Sequence, residues 1–472
     1  MKIYLAGILL LLMSCNSNQE YNNEATDSAR EKPNIIFIMA DDLGYGDLSS
    51  YGSPSVETPN IDALADEGMK FMRFYAASAV CTPSRASVLT GKYPLRFDIT
   101  RHFMVANRHL PDGTPTIPSV LKKAGYGTAH LGKWHLGGLR TEDVERRQEG
   151  KRAVPGPLQH GFDHYLSQNE GEPPRLTLIR ERQMYRKGGH HMFRNDKQAP
   201  KDDNHWTEIK INEASRLIAD WDEKNQPFYL NLWFTVPHTP YEPAPEPHLS
   251  KYEKIGATGD QLLFRSMMSH MDAQIGRLVD TLKARNLYEN TLIVFTSDNG
   301  PAYQGSPGPF RGGKTDLHEG GIRVPMIAVW KGHVPENTTS FQTMHMVDLL
   351  PTFAEAAGVD HGIEDLDGMS LLDHLMGGPR QERGVLTWQM DLYNHFQNQG
   401  PKPEPYATSV AIKGKWKLLA DSLQPTELFN LEQDHRELYN LLGQHPEIEQ
   451  ELLEALKEFH AAPRNRWPDI EY

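Results

Sequence analysis

The chain has 472 residues, 38% hydrophobic and 24% charged, with 49 basic against 62 acidic side chains and a formal charge of −13. That composition describes a globular protein with a large core and excludes a disordered or fibrous chain. The acidic balance argues against nucleic acid as a partner, and two cysteines, Cys15 and Cys81, exclude a disulfide scaffold.

The chain opens with one basic residue, Lys2, an apolar run from Ile3 to Met13, and Ser14-Cys15. This is the pattern of an export signal over residues 1–15, too short to span a bilayer. Its ending, Leu12-Met13-Ser14-Cys15, resembles a bacterial lipobox, in which Cys15 is lipidated and becomes the first residue of the mature protein. Residues 16–32, polar and nearly free of aromatics, read as a flexible tether. The expectation is an exported protein held to a bacterial lipid bilayer by Cys15, on the periplasmic face or the cell surface.

Asn34–Ala40 is almost wholly apolar and of strand length, the pattern of a strand buried on both faces. Thr58-Pro59 then opens a helix, with Thr58 as cap, and Gly68 closes it; residues 116–125 repeat the design. Residues 126–131, 228–236 and 291–296 are further buried strands, with amphipathic helices at 206–224 and 260–285 between them. In the second helix Met267, Met271, Ile275 and Leu278 recur at helical spacing and belong to the core. The β-α-β-α order predicts an α/β fold, a mostly parallel sheet sandwiched by helices. Residues 381–472 change character, with a hairpin near 411–419 and a terminal helix near 446–460, and form a smaller α+β subdomain after the 33–380 body.

Ligands of open α/β sheets bind beyond the carboxyl ends of the strands. There the sequence places Asp41-Asp42, Lys133 and His135, His238, and Asp298-Asn299. The two acidic ends offer hard oxygen donors, which suit Ca²⁺ or Mg²⁺ better than zinc; taken singly, such aspartates are also common turn caps. Cys81 begins Cys81-Thr82-Pro83-Ser84-Arg85, with Pro83 fitting a first helical turn and Gly91 a stop. Cys81 then sits at a helix N-terminus, where amide dipoles favour an anion, and Arg85 lies one turn on along the same face.

The Cys81-x-Pro83-Ser84-Arg85 segment, continuing to Pro94, resembles the signature of the formylglycine-dependent (type I) sulfatases. The resemblance runs through residues 33–440: Asp41–Asp47, Lys133-Trp134-His135, Pro237-His238, Asp298-Asn299, Gly313-Lys314 and Glu427–Leu431 follow the family's order. It implies an alkaline-phosphatase-like fold and a sulfuric ester hydrolase over residues 33–380. It implies that a separate maturation enzyme oxidises Cys81 to formylglycine (3-oxoalanine), whose hydrated form attacks a sulfate ester. By the same resemblance one calcium ion per chain is held by Asp41, Asp42, residue 81, Asp298 and Asn299. Lys133 and Lys314 grip sulfate, Arg85 orients the nucleophile, His238 protonates the leaving alcohol and His135 is the base that restores the aldehyde.

For substrate binding the sequence offers His318, Arg101-His102 and Arg108-His109. Residues 175–201 carry eight basic side chains, Arg175 to Lys201, against Glu181 and Asp196; the stretch either steers a polyanion or is a solvated insertion. Trp388, Tyr393, His395 and Phe396 form either a sugar-stacking wall or core. The expected substrate is a sulfated polysaccharide or its oligosaccharides, an algal glycan such as ulvan or carrageenan or a host glycosaminoglycan. Two rival readings are a phosphoester or phosphonate hydrolase of the same superfamily and a glycan-binding lipoprotein without turnover.

Overall fold

A computed structural model describes residues 32–103, 108–168, 192–200, 202, 204–391 and 406–466. The signal segment with Cys15, the tether up to residue 31, most of the basic stretch (175–191 and Lys201), and Tyr393, His395 and Phe396 lie outside the described residues.

The described strands are, in chain order, β1 (Asn34–Ala40), β2 (Met69–Tyr75), β3 (Gly127–Lys133), β4 (His164–Gln168), β5 (Met192–Arg194), β6 (Lys197–Gln198), β7 (Phe228–Trp233), β8 (Thr291–Ser297), β9 (Arg323–Val329), β10 (Thr338–Ser340), β11 (Met344–His345), β12 (Leu386–Gln389), β13 (Ser409–Lys413), β14 (Trp416–Asp421) and β15 (Gln424–Asn430). The large sheet runs β10-β2-β9-β8-β1-β7-β3-β4-β5-β6, with β11 beside β2. Its centre, β8-β1-β7-β3-β4, is parallel throughout, while β9, β5 and β6 join antiparallel.

β1 shows why its sequence lacks the alternation of a half-exposed strand. Ile35, Phe37 and Met39 enter one hydrophobic core, with Val88 and Leu89 of the Cys81–Thr90 helix. Ile36, Ile38 and Ala40 enter another, with Met267, Met271, Ile275 and Leu278 of the Gly259–Ala284 helix. Both faces are covered, so every residue is apolar or paired; each large side chain contributes about 1.5–3 kcal/mol on burial.

One expected cap is different. The helix Pro59–Asp66 starts where Thr58-Pro59 places it, but the Thr58 hydroxyl turns to Ser49 at 2.8 Å and Asp62 at 3.2 Å. The helix's free N–H groups are met instead by Asp272, which accepts from Asn60 N at 3.0 Å and Ile61 N at 2.8 Å. A carboxylate there also complements the helix dipole.

Residues after 381 build an antiparallel sheet, β12-β13-β14-β15, covered by the Pro446–Ala461 helix. It joins the larger sheet through a shared core in which Trp388 packs with Tyr75, Val80 and Leu317. Trp388 is 1% exposed and donates Nε1–H to Ala76 O at 2.7 Å. Of the two sequence readings for this tryptophan, core is correct.

Candidate active site

Parallel strands end on one side, so β1, β7, β8 and β3 deliver their following residues to a common edge. Backbone bonds tie these ends together: Asp41 N donates to Val236 O at 3.0 Å and Asp298 N to Ala40 O at 3.2 Å. β3 and β7 meet closely at Gly132, which has φ +112°; a Cβ there would lie 1.8 Å from Trp233 O. Glycine is therefore required one residue before Lys133. Asp42 (φ 64°) and His135 (φ 55°) are also held in the left-handed region, at about 1–3 kcal/mol each for non-glycine residues.

Around Cys81, the first residue of its helix, the charged groups interlock. Lys133 Nζ lies 2.7 Å from Asp41 Oδ2 and 3.6 Å from Cys81 Sγ. Lys314 Nζ lies 2.7 Å from the Asp42 carboxylate. Arg85 donates to Asp298 Oδ2 at 2.6 and 3.1 Å, reaches Lys133 O at 3.0 Å, and stands 5.1 Å from the Trp233 ring centroid. Cys81 Sγ approaches Asp41 Oδ1 at 3.7 Å, and His238 Nε2 lies 3.6 Å from Asp42 Oδ2.

Three buried carboxylates thus face three buried cations, the pairing that charges in a low dielectric demand. Burial alone would raise Asp41, but Lys133, His238, Arg85 and Lys314 overcome it and hold the carboxyl well below the usual range. Burial lowers His135 well below the ordinary imidazole value, aided by Lys133 and His102; its buried Nδ1 has no hydrogen-bond partner. Burial thus favours the neutral His135 imidazole.

Asp41, Asp42, Cys81 and His238 each offer a ligand atom, all within 4.8 Å of one another. Asp298 adjoins them, accepting from Asp42 N at 3.1 Å. Asn299 donates Nδ2–H to Asp42 Oδ1 at 2.8 Å, while its buried Oδ1 has no partner. Carboxylate oxygens with one unclaimed amide oxygen fit a hard divalent cation.

His102, of the tentative substrate-binding residues, reaches this cluster: its ring lies 6.3 Å from that of His135. Burial, Lys314 and Arg101 lower it to about 4. Arg101 is its partly buried neighbour, whereas His109 is 1% exposed. His318 is placed elsewhere. It is 4% exposed, with Nδ1 2.6 Å from Asp316 Oδ1 and Nε2 2.9 Å from Glu427 Oε2. Both nitrogens are committed to carboxylates where the two sheets join, which corrects its reading as a pocket-lining residue. Arg194 and Lys197 sit in β5 and β6, at the far edge of the sheet, and Arg194 is paired with Glu213 at 3.1 Å. Sequence reasoning missed Glu437, which accepts from Glu319 N at 2.7 Å and pairs with buried Lys417 at 2.8 Å; no local pattern marks it.

A mostly parallel sheet between helices, with this cluster at its strand ends and a small antiparallel sheet behind, defines a hydrolase of the alkaline-phosphatase-like superfamily. Residues 33–359 match the sulfatase family model, and residues 313–462 match the C-terminal model of N-sulphoglucosamine sulphohydrolase. The chain belongs to the sulfatase family. It is 33% identical to N-acetylgalactosamine-6-sulfatase of Canis lupus familiaris over 77% of this chain and 70% of the relative. Arylsulfatase A of Homo sapiens is 33% identical over 90% and 86%, and N-acetylgalactosamine-6-O-sulfatase of Bacteroides thetaiotaomicron 29% over 95% and 96%. Among solved structures, Ps i-CgsB in complex with k-i-k-neocarrahexaose superposes with TM-score 0.77 at 28% identity, covering 91% of this chain and 93% of that one. A phosphonate monoester hydrolase of Agrobacterium radiobacter, at 22% identity and TM-score 0.64 over 91% and 96%, shares the fold. The protein is a sulfuric ester hydrolase.

Proposed function

We propose that the protein removes sulfate from a sulfated polysaccharide or its oligosaccharides, using residue 81 as formylglycine and one calcium ion. The observation that carries this reading is Cys81 itself. Burial pushes its thiol up, far from the thiolate form that a cysteine nucleophile needs, yet it stands among Arg85, Lys133 and Lys314. An unmodified thiol is a poor nucleophile there, and conversion by a maturation enzyme resolves the conflict.

Asp41, Asp42, Asp298 and Asn299 would hold the calcium, which would neutralise charge, and residue 81 as formylglycine would offer a hydrated aldehyde oxygen as the nucleophile for sulfur. Lys133 and Lys314 bind sulfate oxygens as buried point charges. Arg85, fixed by Asp298 and Trp233, orients residue 81. His238, with Nδ1 against the Thr239 carbonyl, presents Nε2 to protonate the leaving sugar oxygen. His135 keeps a free Nδ1 as proton acceptor.

The glycan is argued from what the relatives act on: their names give N-acetylgalactosamine 6-sulfate chemistry, and one solved neighbour holds a carrageenan oligosaccharide. Carrageenan, ulvan or a glycosaminoglycan is the substrate class. The first fifteen residues support export and a lipid anchor at Cys15. The test is a sulfate-release screen, after co-expression with a maturation enzyme, across carrageenan, ulvan, fucoidan, heparan and chondroitin oligosaccharides. Release from one class is expected; cleavage of phosphonate esters with none of these would overturn the reading.

A further inference from the structure

Asp298-Asn299 is followed by a loop, residues 300–314, that ends at Lys314. The loop closes on itself, because Lys314 N donates to Pro301 O at 2.8 Å. Between these points Ala302–Gly305 forms a turn, with Gly305 N donating to Ala302 O at 3.0 Å. The turn is pinned from two other strand ends. Tyr241, three residues after His238, accepts from Gln304 N through its hydroxyl at 3.3 Å. Asp47, five residues after Asp42, accepts from Ser306 N at 2.8 Å and from Gly44 N at 2.7 Å.

Tyr303 sits on this turn with φ 50° and is 42% exposed. A bulky residue in the left-handed region is a genuine outlier; glycine, asparagine or aspartate would sit there with less strain. The other exposed large apolar side chains among the described residues are Ile255, Phe341, Leu438 and Tyr439, and none lies on a strand-end loop of the site. Burial raises the Tyr303 phenol, and the charges of Lys314 and Asp42 both act on it. Tyr303 therefore stands, partly exposed, on a pinned turn of the loop that joins Asn299 to Lys314.

We propose that Tyr303 is the floor of a sugar subsite, stacking on the C–H face of the pyranose whose sulfate is bound by Lys133 and Lys314. This deepens the proposed glycan reading and rests on it. Stacking holds the leaving sugar against an aromatic ring while its ester points into the charged cluster. The turn that carries the ring is held by Tyr241 and Asp47, so less backbone freedom is lost on binding.

The test uses the matured full-length enzyme, a sulfated oligosaccharide and an aryl sulfate. Tyr303→Asn keeps a residue tolerant of positive φ but removes the ring. It is expected to raise KM for the oligosaccharide about five- to tenfold, with kcat and inhibition by free sulfate within about twofold of wild type. Tyr303→Phe, which keeps the ring, is expected to stay within about twofold in KM. An unchanged KM in Tyr303→Asn overturns the subsite. So does a matching loss of sulfate inhibition, which would mean that the turn rather than the ring matters, and so does Tyr303→Phe behaving like Tyr303→Asn. A wild type that hydrolyses the aryl sulfate but no sulfated oligosaccharide overturns the glycan reading and the subsite together, an outcome distinct from an active wild type with a silent Tyr303→Asn.

Discussion

His318 Nε2 and Glu427 Oε2 stand 2.9 Å apart, across 109 residues of sequence, and join the small sheet to the segment that carries Lys314. Glu427 lies in β15 and also accepts from Arg311 at 2.9 Å. Arg311 and His318 therefore bracket Lys314 on both sides, and one carboxylate from the small sheet holds both. Behind them Lys417 bridges Glu319 at 3.0 Å and Glu437 at 2.8 Å, all three fully or nearly fully buried. The subdomain is a brace for the segment that carries Lys314 as well as an appendage.

This brace has a pH signature. Burial disfavours the His318 cation, but hydrogen bonds to Asp316 and Glu427, with the charges of Asp316 and Glu437, raise it to about 9. A group raised from 6.5 contributes its full stability below the unfolded value and loses it as pH climbs through the folded one. The rise corresponds to on the order of 3 kcal/mol. His318→Gln, which keeps one donor but no charge, should melt several degrees below wild type at pH 6.5. The gap should narrow by pH 9.5. Melting curves at both pH values check it, and a constant gap would show that packing, not charge, is what His318 provides.

Cys81→Ala should lower sulfate release by about 10³-fold or more, because it removes the proposed nucleophile. Melting temperature should move by only a few degrees. Mass spectrometry of the wild-type peptide containing residue 81, after co-expression with a maturation enzyme, should show loss of the thiol and gain of an aldehyde. A fully active protein with an intact thiol would sink the mechanism.

The parts of this molecule readable from sequence are those decided locally. β1 announces itself because seven consecutive side chains are buried on two faces. The Cys81 helix is marked by Pro83 and by Gly91, which closes it in the left-handed conformation at φ 66°. Strand-end positions of Asp41, Asp42, Lys133 and Asp298 follow from where apolar runs stop. What could not be read is pairing at a distance. Thr58 looks like a cap, but Asp272, on a helix some 210 residues later, takes that task. His318 looks like a pocket residue beside Lys314 until Glu427 arrives from another sheet. Trp388 looks like a sugar wall until Tyr75, 5.6 Å away, encloses it.

With calcium as the proposed ion, its removal should destabilise the protein and stop turnover. Beside Cys81, Asp41 and Asp42 converge with His238, and the buried Asn299 Oδ1 has no partner, a donor set that a hard cation would complete. A ligand bound only by the native state stabilises by about 2.7 kcal/mol at one hundred times its Kd. A calcium-selective chelator should therefore lower the melting temperature by several degrees, and added calcium should restore it. Asn299→Ala should weaken that recovery and require more calcium to reach it. Indifference of both melting and activity to chelation would count against the site, and rescue by magnesium alone would change the ion.

Gly132→Ala should separate the architecture of the edge from its chemistry. The substitution removes no charged group, yet its Cβ would lie 1.8 Å from Trp233 O and 3.1 Å from Lys210 Cε, at φ +112°. The backbone contact cannot yield without parting β3 from β7, whose register pairs Gly132 with Trp233. A cost above about 3 kcal/mol is expected, from steric strain and lost packing together. Lys133, the next residue, and Trp233, which backs Arg85, move with the break, so residual folded protein should also lose kcat. Denaturant unfolding alongside sulfate release checks both parts. A variant that is stable yet slow would mean that β3 can shift without unfolding, and that the placement of Lys133, rather than the pairing of the strands, is what Gly132 protects.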